Sequence, residues 1–415
     1  MENIIESKRG RQKIEHNGFL FLFHKYNKDE DLKFWRCEFF NSKDFMCKAR
    51  AKETQEPPAV LRGNTLQNVP TPILAQVPNK QAIKKIIKRA RIEVEAPPAA
   101  PLSLELLQLP HNYQIYKRTE EQEEQFLLAD SGIYFEGGRQ QRILVFGRAS
   151  YGTWAHEMKE IFADGTFSLA PPLFSQLYVI LSRKRNWVFP VLYCLLSDKS
   201  QSTYERMWAL IVNLWHDFEP QSVSVDYETA AINSILITFP MCEIRGCLFH
   251  LIQNMKKKLA VEGLTQRYRS DAEFAVQCRM ITAVAFLPIE DISLAIMSFD
   301  AGYMQQELDP IIDWFVINYT GRMRMNGTRT EARFPPTIWN VYQRTLDGDQ
   351  RTNNIAESSH RRLQHAFSCC HPSLWKFIDT LRCEQKSRDA DMAKCIAGEE
   401  PPKKANVIGR QMLES

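Results

Sequence analysis

Apolar residues recur along this chain with two periods, and the change between them divides it. Between residues 142 and 197 the runs RILVFG, IFADGTFSL, FSQLYVILS and WVFPVLYCLLS are short and rich in β-branched and aromatic residues. Charged or turn residues close each run, which is the pattern of buried strands. The last three lie close enough together to form an antiparallel meander. The spacing then turns helical in STYERMWALIVNLWHDF and returns to a strand in SVSVD. It alternates again through YETAAINSILITF (helix), CEIRGC (strand) and LFHLIQNMKKKLA (helix). The order β-β-β-α-β-α-β-α predicts an α/β domain with a mixed five-stranded sheet. Three antiparallel strands are extended by parallel ones, and the crossover helices cover the sheet.

Outside that core the pattern changes three times. From about residue 262 to 350 helical spacing dominates, with a basic, Gly-containing loop TGRMRMNGTRTEAR, and predicts a helical insertion. TNNIAESSHRRLQHAF then opens a helix, with Asn354 as N-cap and Glu357 at the third helical position. The segment beyond reads as helical to about Cys395, followed by a polar tail. At the other end, residues 1–56 hold three short strand-like runs, GFLFLFHKY, KFWRCEFF and FMCKARAK, and predict a small β module. Residues 57–110 are Pro-rich and read as an extended linker. One stretch interrupts it: QAIKKIIKRARIEVE sets Ile83, Ile86, Ile87 and Ala90 on one helical face, with Lys84, Lys85, Lys88, Arg89 and Arg91 around the rest. Such a helix contacts DNA phosphate, signals nuclear import, or simply docks its apolar stripe. The predicted parts are therefore 1–56, 57–110, 111–365 and 366–415.

Composition narrows the class. A chain of 415 residues is too long for one ordinary core, and a net charge of +4 is slight for that length, so nucleic-acid affinity must come from local basic patches. Its ten cysteines are scattered and the start, MENIIESKRGRQK, has no apolar leader, so reduced thiols in an intracellular protein are expected. The most apolar runs are strand-length, far short of a bilayer span, so no membrane association is expected.

The chemistry lies where strands end. Asp164 falls in the first core strand and Asp226 at the carboxyl end of the fourth, and in this topology those two strands can be neighbours. Glu357 starts the helix after the insertion. Three converging carboxylates suit hard divalent cations such as Mg²⁺ or Mn²⁺. Two such ions activate water and stabilise a leaving 3′-oxygen in phosphodiester cleavage and strand transfer. Each acid also has a plainer role: Asp164 before the Gly165 turn, Asp226 capping the next helix, Glu357 in a capping box with Asn354. Arg322, Arg324, Arg329 and Arg333 in the insertion, and Arg361 and Arg362 one turn beyond Glu357, are candidates for DNA phosphate contacts.

FADGTFSLAPPLFSQLYVI, VFPVLYCLLSDKSQSTYERMW, SVDYETAAINSILITFPMCEIRGCLFHLIQNM and TNNIAESSHRRL together resemble the MULE family of Mutator-like transposases. The resemblance runs from about Arg142 to Leu363. It implies an RNase H-like core with Asp164, Asp226 and Glu357 as the catalytic DDE triad holding two Mg²⁺ or Mn²⁺ ions. It also implies a homo-oligomer bridging element ends and target DNA in the nucleus, with no small-molecule substrate. Cys247 and His250 match the family's C-x-x-H signature and are expected to support the site; two donors do not make a zinc centre.

SKRGRQKIEHNGFLFLFHKYNKDEDLKFWRCEFFNSKDFMCKARAKET resembles a FLYWCH zinc finger, a DNA-binding module. Cys37 and Cys47 stand at its zinc-ligand positions, but the family's downstream His-x-His is replaced by GNTLQNVPTP. Zinc then requires His16 or His24, or the finger survives on its aromatic core without metal. Three functions follow. The first is a DDE transposase that cuts and joins DNA ends. The second is a domesticated, non-catalytic DNA-binding or regulatory relative. The third, an unrelated RNase H-like nuclease, predicts the acids but not the finger.

Overall fold

The computed structural model describes residues 97–119, 121–299, 304–349, 351–352, 354–367 and 369–402, the side chains of Asn354 and Glu357 excepted, and the backbone of four N-terminal strands. Those strands are β1 (Ile4–Glu6), β2 (Gln12–His16), β3 (Phe19–Tyr26) and β4 (Lys33–Cys37), paired antiparallel in chain order. The last two fall on GFLFLFHKY and KFWRC. The expected FMCKARAK strand and the basic helix with Lys84, Lys85, Lys88, Arg89 and Arg91 lie outside the described residues, as do the side chains of Cys37 and Cys47.

The chain forms two compact units. The first comprises residues 1–113, 167–173 and 364–383. Its described residues include a small aromatic cluster in which the Tyr113 and Trp375 rings lie 4.7 Å apart and Phe367 stacks on Phe377 at 5.6 Å.

The second unit, residues 114–166, 174–363 and 384–415, holds the predicted α/β core. It opens with two small hairpins, β5 (Ile115–Lys117) with β6 (Glu123–Gln125) and, after β7 (Leu127–Asp130), β8 (Tyr134–Glu136) with β9 (Arg139–Gln141). The large sheet adds β10 (Ile143–Gly147), β11 (Glu160–Thr166), β12 (Gln176–Lys184), β13 (Trp187–Leu196), β14 (Ser222–Val225) and β15 (Glu243–Gly246). Its order is β15-β14-β11-β12-β13-β10-β7, so it has seven strands and not the five expected. The reason is visible in β13, where every residue except Val188 is buried, so both of its edges need partners. Strand β10, buried along its whole length, fills the second edge and is covered in turn by β7. Pro190, which has no N–H to donate, sits where the β12–β13 register shifts.

Three helices follow the strands as the periodicity predicts: α1 (Gln201–Leu214), α2 (Thr229–Thr238) and α3 (Leu248–Val261). Ser200 caps α1 by accepting the Thr203 N–H at 3.2 Å. Alternation along the strands divides the sheet into two faces. Ile161, Ala163, Tyr178 and Ile180 belong to one core cluster with Tyr204, Met207, Trp208 and Ile211 of α1 and Ile232 and Ile235 of α2. Phe162, Asp164, Val179 and Tyr193 alternate to the opposite face and are also buried.

The insertion is helical, as expected: α4 (Thr265–Ser270), α5 (Ala272–Ala283), α6 (Ile292–Ser298) and α7 (Asp309–Phe315), then short turns at 336–339 and 342–346. Its centre is Trp339, fully buried, whose indole N–H is shared between the carbonyls of Tyr319 (2.9 Å) and Phe334 (3.0 Å). The last helices among the described residues are α8 (Asn354–Phe367) and α9 (Leu374–Ile396).

Candidate active site

Strand β11 is apolar and buried from Ile161 to Ala163, and the run ends in Asp164 and Gly165. Glycine is required there because a Cβ at Gly165 would stand 2.7 Å from the side-chain oxygen of Gln176. Gln176 cannot easily yield, being fully buried and donating to Tyr204 Oη at 2.6 Å.

Strands β11 and β14 are parallel neighbours, with Phe162 paired to Ser224. Extending that register by two residues puts Asp226 level with Asp164 on the same face, near enough that the charge of Asp164 acts on the Asp226 carboxyl. Two acids 62 positions apart in sequence are thus brought side by side by backbone pairing alone.

The next parallel strand supplies the second layer. Val225 pairs with Gly246, so the residues that follow, Asp226 and Cys247, leave adjacent strand ends together. Cys247, 2% exposed, is the N-cap residue of α3 and donates its backbone N–H to Val225 O at 3.2 Å. His250, one turn into α3, reaches back so that its Nδ1 lies 2.5 Å from Asp226 Oδ1. The C-x-x-H spacing is therefore what a strand-to-helix turn needs to lay a histidine over the carboxylate of the neighbouring strand. Tyr227 continues the link outward, its ring meeting Tyr319 at 5.6 Å and Phe334 at 5.2 Å in the insertion.

Asp164 has a histidine of its own. His360, on α8, is 8% exposed and holds Nδ1 at 3.1 Å from Asp164 Oδ2. Sequence reasoning missed it. The available signal was its spacing: His360 follows Glu357 by three residues, so the two positions share one helix face. The segment entering α8 is fixed to the strand ends by the Leu248 N–H, which donates to Arg351 O at 3.1 Å. The side chain of Glu357 lies outside the described residues.

The electrostatics follow from this packing. Burial pushes the Asp226 carboxyl above the usual range, and the charge of Asp164 pushes the same way, while His250 and His360 oppose. Burial works against the His250 imidazolium, but its hydrogen bonds and charge interactions with Asp226 and Cys247 win and push it up to about 10. Two mutually repelling carboxylates with oxygen donors at adjacent strand ends are a fitting donor pair for a hard divalent cation. Among the described residues, no group of three or more His, Cys, Asp or Glu side chains is arranged to hold a metal.

The candidate DNA contacts separate. Arg362 is committed to Glu384 at 2.7 Å and Ser387 at 2.8 Å, tying α8 to α9 within the second unit. Arg361 is exposed on α8. Arg333 donates to Thr229 Oγ1 at 2.9 Å and Arg329 to Gly321 O at 2.6 Å, whereas Arg322 and Arg324 are exposed. No helix among the described residues is long and apolar enough to cross a membrane.

The second unit is thus a mixed α/β domain carrying paired acids at the carboxyl ends of adjacent parallel strands. Residues 161–254, which contain both acids and the C-x-x-H pair, match the MULE transposase domain, and residues 4–64 match the FLYWCH zinc finger domain. Both recognitions made from the motifs are borne out, each segment matching the family that its motifs resemble. A search of curated proteins finds no match. Among solved structures, the Drosophila P element transposase strand transfer complex is similar at 10% identity and a TM-score of 0.30, over 82% of this chain and 94% of that one.

Proposed function

We propose that this chain is a DNA transposase of the DDE type. It has an RNase H-like core, cleaves DNA ends with divalent metal and joins them to target DNA, and works in the nucleus as a homo-oligomer. The observation that carries the reading is the register of β11 and β14, which aligns Asp164 and Asp226 inside the segment matching the MULE transposase domain. Glu357, one helical turn before the histidine that holds Asp164, is the third acid.

In this reading Asp164, Asp226 and Glu357 hold Mg²⁺ or Mn²⁺. Bound there, the ions supply Lewis acidity to a phosphodiester oxygen and an activated water. The chain's own work is positioning. His360 fixes the Asp164 carboxylate from the α8 side, and His250 fixes that of Asp226 from α3. The N-terminal module binds the element ends. Cys37 and Cys47 supply half of a tetrahedral zinc site; the sequence has no histidine between Cys47 and His111, so the remaining ligands include His16 or His24 if zinc is held.

The same missing histidines favour a second reading, a domesticated DNA-binding protein with a non-catalytic core. Incubating the full chain, Mn²⁺, a duplex with a free 3′-OH and a supercoiled plasmid separates the two. A transposase joins the duplex to the plasmid, and Asp226→Asn abolishes joining while DNA binding persists. A wild-type chain that binds DNA but joins nothing has the second function.

A further inference from the structure

Gly321 to Thr330 in the insertion form a β-hairpin. Met323 and Arg329 make an antiparallel bridge, the Arg324 N–H donates to Thr328 O at 2.7 Å, and Gly327, at φ +78°, closes a three-residue loop. Gly321 at the base has φ +77°, and a Cβ there would collide with Thr330 O at 1.9 Å, so the hairpin leaves the helical body through a turn only glycine permits.

The two faces differ. Arg329 turns inward and fastens the hairpin, donating to Ser293 Oγ on α6 at 3.0 Å and to Gly321 O at 2.6 Å. By alternation Arg322 and Arg324 lie on the other face, opposite Thr330 and Thr328. Residues 322–328 are all exposed, and no acidic residue occurs between Gly321 and Thr330. At the tip, Met325 is fully exposed at 109%, beside Asn326, whose side chain accepts from the Thr328 N–H at 3.1 Å. A large apolar side chain is fully exposed at the end of a ribbon based on glycine, in an acid-free turn just beyond two exposed arginines. Core packing does not account for that placement.

We infer that this hairpin is a DNA finger: Arg322 and Arg324 lie along phosphates while Met325 wedges against a base step and bends the duplex. Charge complementarity commits the occupant to a polyanion, and the apolar tip matches the wedges that partly unstack a step from the minor groove. The inference rests on the reading that the chain acts on DNA, but not on its catalytic acids.

The test is binding of the full chain to a mixed-sequence 30-base-pair duplex with a dye at each end, in EDTA, between about 50 and 200 mM salt. Losing two phosphate contacts lowers the salt slope by about 1.8, so the affinity ratio of wild type to Arg322→Ala/Arg324→Ala changes roughly twelvefold across that range. Met325→Ala should keep the slope but reduce the bend read as energy transfer between the dyes. Lys256→Ala/Lys257→Ala removes the same charge from exposed positions on α3 and should cost less. Equal losses in both double variants, or an unchanged bend in Met325→Ala, overturn the finger and leave the DNA reading standing. A wild-type chain with no DNA affinity overturns both. Unchanged melting temperatures confirm that the exposed substitutions leave the fold intact.

Discussion

Arg148 offers the sharpest test of how the second unit is held together. It is 6% exposed, and its guanidinium contacts Glu124 Oε1 at 2.6 Å and Asp389 Oδ1 at 2.5 Å. Tyr116 donates to the other oxygen of Asp389 at 2.7 Å, and the rings of Tyr116 and Tyr151 stand 5.5 and 5.4 Å from the guanidinium carbon. The two carboxylates are only 18% and 14% exposed, so the pairs belong to the buried regime, where water cannot replace a lost partner. Arg148→Ala strands both charges and should cost about 3–5 kcal/mol. At about 2–4 °C per kcal/mol, the melting temperature falls by roughly 6–20 °C. Urea titration followed by tryptophan fluorescence measures the loss directly. Arg148→Met combined with Glu124→Gln and Asp389→Asn removes the stranded charges and should recover most of it. An Arg148→Ala protein within about 1 kcal/mol of wild type would refute the reasoning, since a pair that cheap to break is a surface pair.

Other consequences follow from burial. Tyr178, Tyr193 and Tyr227 are held well above their ordinary pKa of 10 by burial, and Tyr151 is pushed up to about 12 by the same cause. A raised folded pKa means full stability below pH 10 that is lost as pH rises, so the share of tyrosinate absorbance at 295 nm that these four rings contribute should appear in one cooperative step with unfolding above pH 10. Full tyrosinate absorbance reached before the fold is lost would contradict it. Gly246→Ala places a Cβ 2.8 Å from Tyr227 Oη, so it should cost about 1–3 kcal/mol in urea titrations. Trp208, fully buried under the sheet, should cost about 3–5 kcal/mol as alanine, whereas Met241→Ala, 91% exposed, should be silent.

What was legible in the sequence is what local pattern encodes. Strands β12 and β13 announce themselves as unbroken apolar runs, and the β-β-β-α-β order is enough to suggest that Asp164 and Asp226 are neighbours. The far edge of the sheet was not legible. Strand β7 has only four residues, none fully buried, so it shows neither alternation nor an apolar run. His360 escaped because its spacing from Glu357 marks a shared helix face but names no partner, and that partner lies 196 positions away in sequence. Arg148 and Asp389 meet across 241 positions for the same reason. Charge pairing over such separations is set by the packed fold and leaves no trace in spacing.

The most direct measurement is Mn²⁺-dependent nicking of supercoiled DNA by wild type, Asp164→Asn, Asp226→Asn and the double variant. If the aligned acids form one reaction centre, each single substitution lowers the rate about 10³-fold or more, and the double loses no more than either single, because groups acting as a unit are not additive. A variant lacking Asp226 that nicks at the wild-type rate would contradict the account.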